Sequence, residues 1–184
     1  MKSVLISIQP KWCELIASGE KTLEVRKTKP KMKIPFKCYI YCTKSNDMLL
    51  VLNTISRMEY GIPAVCANLK DTEGACTGNG KVIGEFVCDT FVADNTFGHD
   101  ALFNGAACMS EADASAYSLG LPMYGWHISN LVIYEKPKKL SDFKKCNRTC
   151  YYDHLGLATP KCKDCKECQV DRPPQSWCYV ETLE

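Results

Sequence analysis

In residues 1–27 of this chain, the positions of a proline and a glycine favour a strand, a short helix and a second strand. Pro10 suits the first turn of a helix, because its missing N–H would have no intrahelical partner there. Gly19 stands where a left-handed residue ends a helix, which predicts a helix over Pro10–Ser18. Leu23 and Val25 then alternate with polar residues, a pattern typical of a half-buried strand.

Three ionisable residues follow the glycine at a spacing that brings them together: Lys21, Glu24 and Arg26. On an exposed turn they would form salt bridges that contribute little stability. In a shielded cleft, the Arg26 guanidinium would hold a phosphate or carbonyl group, and Glu24 would accept a hydrogen bond from the exocyclic amine of a base. Lys21 would act as a general base there if burial lowered its pKa.

The loop that follows is basic and contains no acid. Its cationic residues are Arg26, Lys27, Lys29, Lys31, Lys33 and Lys37. A charge run of this kind is most often a solvated loop. Because the loop lies beside Lys21, Glu24 and Arg26, we give equal weight to a second interpretation, in which it forms a rim that contacts phosphate groups.

Three aromatic residues are further candidates for a binding site. Tyr41 lies on one face of a predicted strand, where a tyrosine either completes a core or stacks on a base. Trp126, between Gly125 and His127 at the start of a strand, is a candidate stacking residue with His127 beside it. Trp12 shares a helical stripe with Leu15 and Ile16, so we expect it in the core.

Short strands interspersed with two small helices predict an α+β fold, a compact mixed β-barrel with the helices at its ends. We place a domain boundary near Leu140, which separates residues 1–140 from a tail over residues 141–184. Ser110 predicts the start of the second helix, which ends near Gly120. The remaining predicted strands are Ser3–Ile8, Phe36–Cys42, an edge strand Leu49–Leu52, Lys81–Val92 with a bend or bulge at Gly84, Tyr124–Tyr134, and a closing strand Trp177–Val180.

The chain has 13 cysteines, and they form two populations. Those before residue 140 are scattered, several within apolar runs where a thiol behaves as a small hydrophobic group. The tail cysteines are crowded together with His154 in one polar segment, and CxxC spacing suits tetrahedral zinc. The spacing favours a structural zinc site, and the alternative is a set of free or redox-active thiols. The preferred ligands are Cys146, Cys150, Cys162 and Cys165, with Cys168 or His154 as substitute.

The composition, charge and apolar runs of the chain limit the class of protein to which it can belong. With 184 residues, 46% hydrophobic and 24% charged, the chain is typical of a soluble globular protein. A net charge of +2 gives no global attraction to nucleic acid, so any basic surface must be local. The first apolar run is too short for a signal peptide, and none reaches the length of a membrane span. We therefore expect a cytoplasmic protein with no membrane partner.

Residues 19–26, Gly-Glu-Lys-Thr-Leu-Glu-Val-Arg, match the Gly-x-Lys-x-x-Glu-x-Arg signature, so the chain resembles the ASCH domain family of the PUA-like superfamily. The segments Ser7–Pro10 and Gly84–Phe86 support the resemblance in their order along the chain. Residues 124–131 and 172–177 are similar to bacterial and phage members with a cysteine-rich tail. The resemblance implies a PUA-like β-barrel with a cleft beside the signature.

Members of this family are thought to bind RNA or modified nucleobases, so the resemblance implies an RNA-binding module that recognises a modified base or nucleoside. An alternative is a small amidohydrolase acting on acylated nucleosides such as acetylcytidine, with Lys21 and Glu24 as catalytic residues. That enzymatic branch has a threonine where Glu24 stands, and a later glutamate for which Glu85 and Glu111 are the candidates here. A third hypothesis is a ribonuclease that uses Lys21, Glu24 and His127.

Overall fold

The computed structural model describes residues 1–52, 64–67, 76–146 and 168–183. Strands predominate in these ranges, with three short α-helices and one 3₁₀ turn at Leu140–Asp142. The elements are β1 Lys2–Ile8, α1 Pro10–Ser18, β2 Leu23–Arg26, β3 Phe36–Cys42, β4 Leu49–Leu52, β5 Ala64–Ala67, β6 Lys81–Cys88, β7 Phe91–Asp94, α2 Ala101–Ala106, α3 Glu111–Ser118, β8 Met123–His127, β9 Ser129–Lys138 and β10 Trp177–Glu181.

The strands and short helices confirm the predicted α+β class, and the described strands form open sheets instead of a closed barrel. Within the described ranges, one sheet has the order β10-β1-β3-β6-β9 and a second has the order β2-β8-β7, while β4 pairs with β5 alone. In the larger sheet β1 and β3 are parallel, and the other pairs are antiparallel.

Two segments that the sequence predicts as single strands each divide between the two sheets. The predicted strand Lys81–Val92 ends its first half at Cys88, and its second half starts at Phe91 in the smaller sheet. The segment 124–134 likewise breaks at Ile128, whose N–H donates to Thr22 O at 2.9 Å. The bulge predicted at Gly84 is confirmed by a shift of register between Val82 and Gly84.

Alternating side chains give the larger sheet two buried faces. On one face, β1 and the β3 residues Phe36, Cys38, Ile40 and Cys42 pack against Cys13, Ile16 and Ala17 of helix α1. The other face is covered by residues from the C-terminal part of the chain. That second cluster contains Leu5, Tyr39, Tyr41, Val82, Phe143, Val170 and Val180.

A third apolar cluster joins β2 and β8 to helices α2 and α3, and it depends on a glycine. Leu23 and Val25 of β2 pack there with Phe103 of α2. A Cβ atom at Gly125 of β8 would lie 2.9 Å from Phe103 Cε2 and 3.0 Å from Leu23 Cδ1. The helix approaches β8 this closely because no side chain stands at Gly125.

Helix α3 was predicted and helix α2 was not. The predicted N-cap is confirmed, since Ser110 Oγ accepts a hydrogen bond of 3.1 Å from Asp113 N. Helix α2 begins after Asp100, whose carboxylate accepts from the backbone N–H groups of Leu102 and Phe103, each at 3.0 Å. Its six residues are too few to show a helical repeat of apolar side chains, so only the Asp100 cap marks it in the sequence.

The predicted closing strand is present as β10, which lies antiparallel to β1 with Ile6 opposite Trp177. Phe143 and Val170, on either side of residues 147–167, pack in the second cluster with β10. Two parts of the tail thus complete the main sheet, and the domain boundary near Leu140 stays a prediction. No helix in the described ranges is long and apolar enough to cross a membrane.

Candidate functional site

Lys21 is directed inward by the turn that ends helix α1. Gly19 adopts the left-handed conformation with φ of 84°, and its N–H donates to Ile16 O at 3.1 Å. The Lys21 N–H then donates to Leu15 O at 2.9 Å, which folds the chain back toward β2. As a result Lys21 Nζ reaches the end of helix α2, where it donates to Ala107 O at 2.6 Å.

The Lys21 ammonium group is almost completely buried, with 3% of the side chain exposed. Burial lowers the pKa of this amine, since water no longer solvates its charge, and the nearby Arg26 lowers it further. The carboxylate of Glu24, whose Oε2 lies 3.8 Å from Nζ, acts in the opposite direction. The net pKa is below the usual value, a shift in the direction that favours a general base.

Glu24 and Arg26 form a second buried ion pair beside Lys21. Glu24 Oε1 lies 2.9 Å from Arg26 Nη1, and Arg26 Nη2 donates to Ser7 O at 2.5 Å. Glu24 Oε2 and Arg26 Nε are both buried and have no hydrogen-bond partner among the described residues. Buried polar atoms of this kind are nearly always paired with protein, water or ligand. The pair therefore offers one acceptor and one donor to a bound molecule.

These three residues line a cleft of about 740 Å³, which is within the usual range for sites that bind small molecules. Two aromatic rings contribute to its walls, Trp12 of helix α1 and Tyr117 of helix α3. A lysine lies against each ring, with Lys11 Nζ 4.7 Å from the Trp12 ring centroid and Lys27 Nζ 5.2 Å from that of Tyr117. The cleft thus combines flat apolar surfaces with cations at its edge.

The C-terminal part of the chain supplies one wall of the cleft, through Gln175 and Ser176. The Ser7 N–H donates to Ser176 O at 2.9 Å, and Ser7 Oγ donates to Pro174 O at 2.6 Å. Trp177 Nε1 donates to Thr28 Oγ1 at 3.1 Å, which attaches the same segment to the opposite rim. These bonds fix the wall in place across the motif.

The structure brings Lys21, Glu24 and Arg26 together at the cleft, but it places Tyr41 and Trp126 elsewhere. Tyr41 is 3% exposed in the second apolar cluster, because residues from the tail cover that face of β3. Trp126 is fully buried, and its ring makes edge-to-face contacts with Phe36, Phe91 and Trp177 at 5.8–6.0 Å. The interpretation of these two residues as stacking platforms is corrected: both are core residues.

His127 is also separated from the cleft. It lies opposite Leu23 in the β2–β8 ladder, so its side chain is on the other face of the sheet from Glu24. Its Nδ1 lies 2.7 Å from Asp89 Oδ1 on the surface. The structure therefore does not assemble the three residues of the ribonuclease hypothesis.

The two later glutamates are also engaged away from the cleft. Glu85 accepts hydrogen bonds of 2.6 Å from both Lys37 Nζ and Tyr134 Oη. Glu111 lies 2.6 Å from His99 Nδ1 on the exposed face of helix α3. The later acid that does line the cleft is Asp113, which accepts from Ser110 Oγ at 2.7 Å.

The cleft residues that the sequence interpretation missed include Trp12, Tyr117 and Asp113. Trp12 was placed in the core because it shares a stripe with Leu15 and Ile16, yet it is only half-buried and faces the cleft. Tyr117 carries a weak signal, as the one large apolar side chain of helix α3, Glu-Ala-Asp-Ala-Ser-Ala-Tyr-Ser. A large aromatic ring on a helix whose other side chains are small or polar indicates that the ring contacts residues outside the helix.

The proposed zinc ligands Cys150, Cys162, Cys165 and the substitute His154 lie outside the described residues. Cys146 and Cys168 are described and stand at the two sides of that segment, where Lys145 N donates to Cys168 O at 2.8 Å. Within the described ranges, no group of three or more histidine, cysteine or acidic side chains has a geometry that would hold a metal ion. The zinc site thus stays a prediction from spacing.

Comparison with protein-family models and with curated proteins gives no match. Among solved structures, the chain is similar to a crystal structure of ASCH from Zymomonas mobilis, with a TM-score of 0.51 and 16% identity over 98% of this chain and 88% of that one. Two point mutants of the Zymomonas mobilis protein match with TM-scores of 0.56 and 0.51 at 17% and 18% identity; the first covers 99% of this chain and 92% of the mutant, the second 98% and 89%. The likeness is one of fold, and it agrees with the Gly19–Arg26 signature.

Proposed function

We propose that this chain, which has the fold of the ASCH structures, is a nucleic-acid-directed binding protein that takes one base of an RNA, unmodified or modified, into the cleft beside Gly19–Arg26. The observation that carries the proposal is Glu24 Oε2, a buried carboxylate oxygen of a cleft residue, which lies 3.8 Å from Lys21 Nζ and has no hydrogen-bond partner among the described residues. An ionised carboxylate accepts hydrogen bonds only, so its natural complement is an N–H group. Exocyclic amines and ring N–H groups of nucleobases supply such donors.

The remaining walls of the cleft support a nucleobase over other N–H compounds. Trp12 and Tyr117 offer rings on which a base can stack, the usual way in which proteins hold an unpaired base. Arg26 Nε supplies a donor for a base carbonyl or ring nitrogen beside the Glu24 acceptor. Lys11 and Lys27 place positive charge at the edge, where the sugar and phosphate of the same nucleotide would lie.

Calorimetric titration tests this function directly. The ligands are the 5′-monophosphates of adenosine, cytidine, guanosine and uridine, together with N4-acetylcytidine. We expect at least one of them to bind, and Glu24→Gln to weaken its binding at least about tenfold, because a hydrogen bond to a charged acceptor contributes about 1.5 kcal/mol or more. The control is Glu135→Gln on the exposed side of β9, which should bind as the unmodified protein does. The proposal is wrong if none of the five ligands binds.

A second candidate function, hydrolysis of an acylated nucleoside, is favoured by the lowered pKa of Lys21. A neutral Lys21 amine would take a proton from a water molecule as that water attacks the acyl carbonyl. The C–N bond would then break, releasing the carboxylic acid and the nucleoside amine, which receives the proton. Glu24 would assist by accepting a hydrogen bond from the amide N–H of the substrate.

Acetate release from N4-acetylcytidine decides between binding and hydrolysis. A hydrolase produces one acetate per cytidine and loses turnover in Lys21→Met. If the acetylated nucleoside survives saturating protein untouched, the hydrolase hypothesis is wrong for this substrate, and the binding function is tested by the titrations alone.

A further inference from the structure

A second pocket adjoins the cleft along the chain. Thr28 lines the cleft, and the next residue, Lys29, lines the second pocket, which has a volume of about 410 Å³. We call it the flanking pocket, and its lining residues are Lys29, Pro30, Met32, Lys33, Ile34 and Phe91. The two cavities are thus joined by consecutive residues of one loop.

The flanking pocket has an apolar floor. Phe91 is half-buried, with its ring centroid 6.0 Å from that of Phe36. Ile34 is 45% exposed beside it, and Met32 packs partly against the main core. A partly exposed aromatic ring among aliphatic side chains provides a surface on which a base can stack without sequence-specific hydrogen bonds.

The edge of the flanking pocket is cationic. Lys29 and Lys33 are exposed, and the loop from Arg26 to Lys37 contains no acid. The Lys29 ammonium lies 5.1 Å from the Tyr124 ring centroid and 5.5 Å from that of Phe91, so it is held over aromatic rings. Unlike a carboxylate, an aromatic ring leaves most of the positive charge available to an approaching phosphate.

The loop is fixed to the protein at both ends of this path. Thr28 Oγ1 accepts from Trp177 Nε1 at 3.1 Å, and the Lys31 N–H donates to Tyr179 Oη at 2.9 Å. Both partners belong to β10, which also follows the segment that forms a wall of the cleft. The flanking pocket and the cleft therefore keep one relative position, so binding in both costs less ordering of the protein.

We infer that a single strand of nucleic acid runs from the cleft across residues 27–33, with the neighbouring nucleotide in the flanking pocket. This inference rests on the proposed function, and it narrows the ligand to a polynucleotide rather than a free nucleoside. In the flanking pocket Phe91 stacks on the base, while Lys29 and Lys33 contact phosphate groups on either side of it. The lysine-rich loop is then the phosphate-contacting rim and not merely a solvated loop.

The test compares short oligonucleotides with mononucleotides on the full chain. Fluorescence anisotropy measures binding of labelled hexaribonucleotides and hexadeoxyribonucleotides of A, C and U or T, and unlabelled 5′-mononucleotides compete for the same site. We expect at least one hexamer to bind about tenfold or more tighter than its mononucleotide, because added phosphate and stacking contacts each contribute affinity. The ribose and deoxyribose series show which of the two polymers is preferred.

The double variant Lys29→Ala/Lys33→Ala localises the added affinity. It should weaken hexamer binding about tenfold while leaving mononucleotide affinity unchanged. The slope of log affinity against log salt concentration should fall by about 1.4, or about 0.7 for each lost phosphate contact. The matched control is Lys136→Ala/Lys139→Ala, two exposed lysines that line neither pocket.

The outcomes separate this inference from the function on which it rests. Mononucleotides that bind and depend on Glu24, with no gain for hexamers, would overturn the strand path and leave the cleft function standing. A hexamer gain that survives the double variant would also overturn it, because the added contacts would then lie elsewhere. If neither mononucleotides nor hexamers bind, both proposals fall together.

Discussion

Lys21 Nζ donates a hydrogen bond of 2.6 Å to the carbonyl oxygen of Ala107, a residue 86 positions further along the chain. Ala107 is the C-cap of helix α2, where the helix dipole is negative and an unpaired carbonyl requires a donor. The residue most suited to chemistry in the cleft therefore also holds helix α2 against β2. A change at Lys21 therefore alters stability, so the stability of each Lys21 variant is measured separately from any effect on ligand binding.

The first prediction concerns the pH dependence of stability. Because burial lowers the pKa of Lys21, the folded chain binds fewer protons than the unfolded chain at pH values between the lowered pKa and the usual 10.5. The free energy of unfolding therefore gains a contribution from Lys21 that rises with pH across that window. We expect Lys21→Met to remove this contribution, measured as a difference in urea unfolding between pH 7 and 10. The prediction is wrong if the difference in the free energy of unfolding between Lys21→Met and the unmodified protein is the same at pH 7 and pH 10. The control is Lys136→Met, at an exposed lysine.

A double-mutant cycle tests the buried ion pairs. Glu24→Gln leaves two buried cations without their counter-charge, so we expect a loss of about 3 kcal/mol in the free energy of unfolding. Adding Lys21→Met should recover part of this loss, because one of those cations is then absent. The exposed pair Lys145 and Asp171, at 2.5 Å, is the comparison, and its coupling should be below about 1 kcal/mol. If the coupling energy between Glu24 and Lys21 equals that between Lys145 and Asp171, burial does not strengthen the ion pair and the prediction is wrong.

Two glycines near helix α2 give a matched pair of substitutions. Gly125→Ala places a methyl group 2.9 Å from Phe103 Cε2, so we expect a loss of about 1–3 kcal/mol from overpacking. Gly105→Ala lies within the helix with nothing within 4 Å, and it should stabilise the protein by up to about 1 kcal/mol. Thermal or urea unfolding measures both variants. Similar effects at the two positions would show that the contact between β8 and the helix is not tight.

Acid stability depends on Glu85. Burial raises the pKa of this carboxyl, but hydrogen bonds from Lys37 and Tyr134 outweigh burial and hold the pKa below its usual value of 4.5. The resulting stabilisation is complete above pH 4.5 and is lost as the pH falls toward the lowered pKa. We expect Glu85→Gln to be less stable than the unmodified protein at pH 7 and to lose less stability between pH 5 and 3. Glu135→Gln on β9 is the exposed control, and a parallel decline of all three proteins would contradict the prediction.

The tail cysteines predict one zinc ion per chain, held by Cys146, Cys150, Cys162 and Cys165. The described residues on either side of residues 147–167 are suited to such a site, because the hydrogen bond from Lys145 N to Cys168 O brings them together. We expect metal analysis to find zinc in the purified protein and to find it lost in Cys162→Ser/Cys165→Ser, with a lower melting temperature. Cys76→Ser, an exposed cysteine outside the cluster, should retain the metal. Full zinc content in the double variant would assign the site to other ligands.

Local patterns predicted the elements and residues that depend on local chemistry. Helix α1 has the predicted bounds because Pro10 and Gly19 limit it on both sides. Strand β3 also has the predicted bounds, since Phe36, Cys38, Ile40 and Cys42 alternate with Lys37, Tyr39 and Tyr41, a period typical of a strand. Lys21, Glu24 and Arg26 meet at the cleft because their spacing on one turn and one strand already brings them together.

What the sequence did not show depends on segments that are far apart along the chain. Tyr41 is a core residue because Val170 and Val180 cover its face of β3, and no residue near Tyr41 in the sequence predicts this packing. Trp12 and Tyr117 face one cleft only because helices α1 and α3 are placed around β2. The division of the segment 124–134 escaped prediction because Ile128 is apolar, so the alternation continues through a residue where the backbone changes sheets.

The hydrogen bonds from Ser7 to Pro174 and Ser176 join residues 167 and 169 positions apart, and this spacing has a consequence for biosynthesis. A ribosome delivers the Lys21 turn well before it delivers the wall of the cleft and strand β10. Until then β1 presents an unpaired edge, the kind of surface through which nascent chains associate wrongly. Emergence of residues 174–181 covers that edge and supplies the wall of the cleft, so both changes depend on the same segment of the chain.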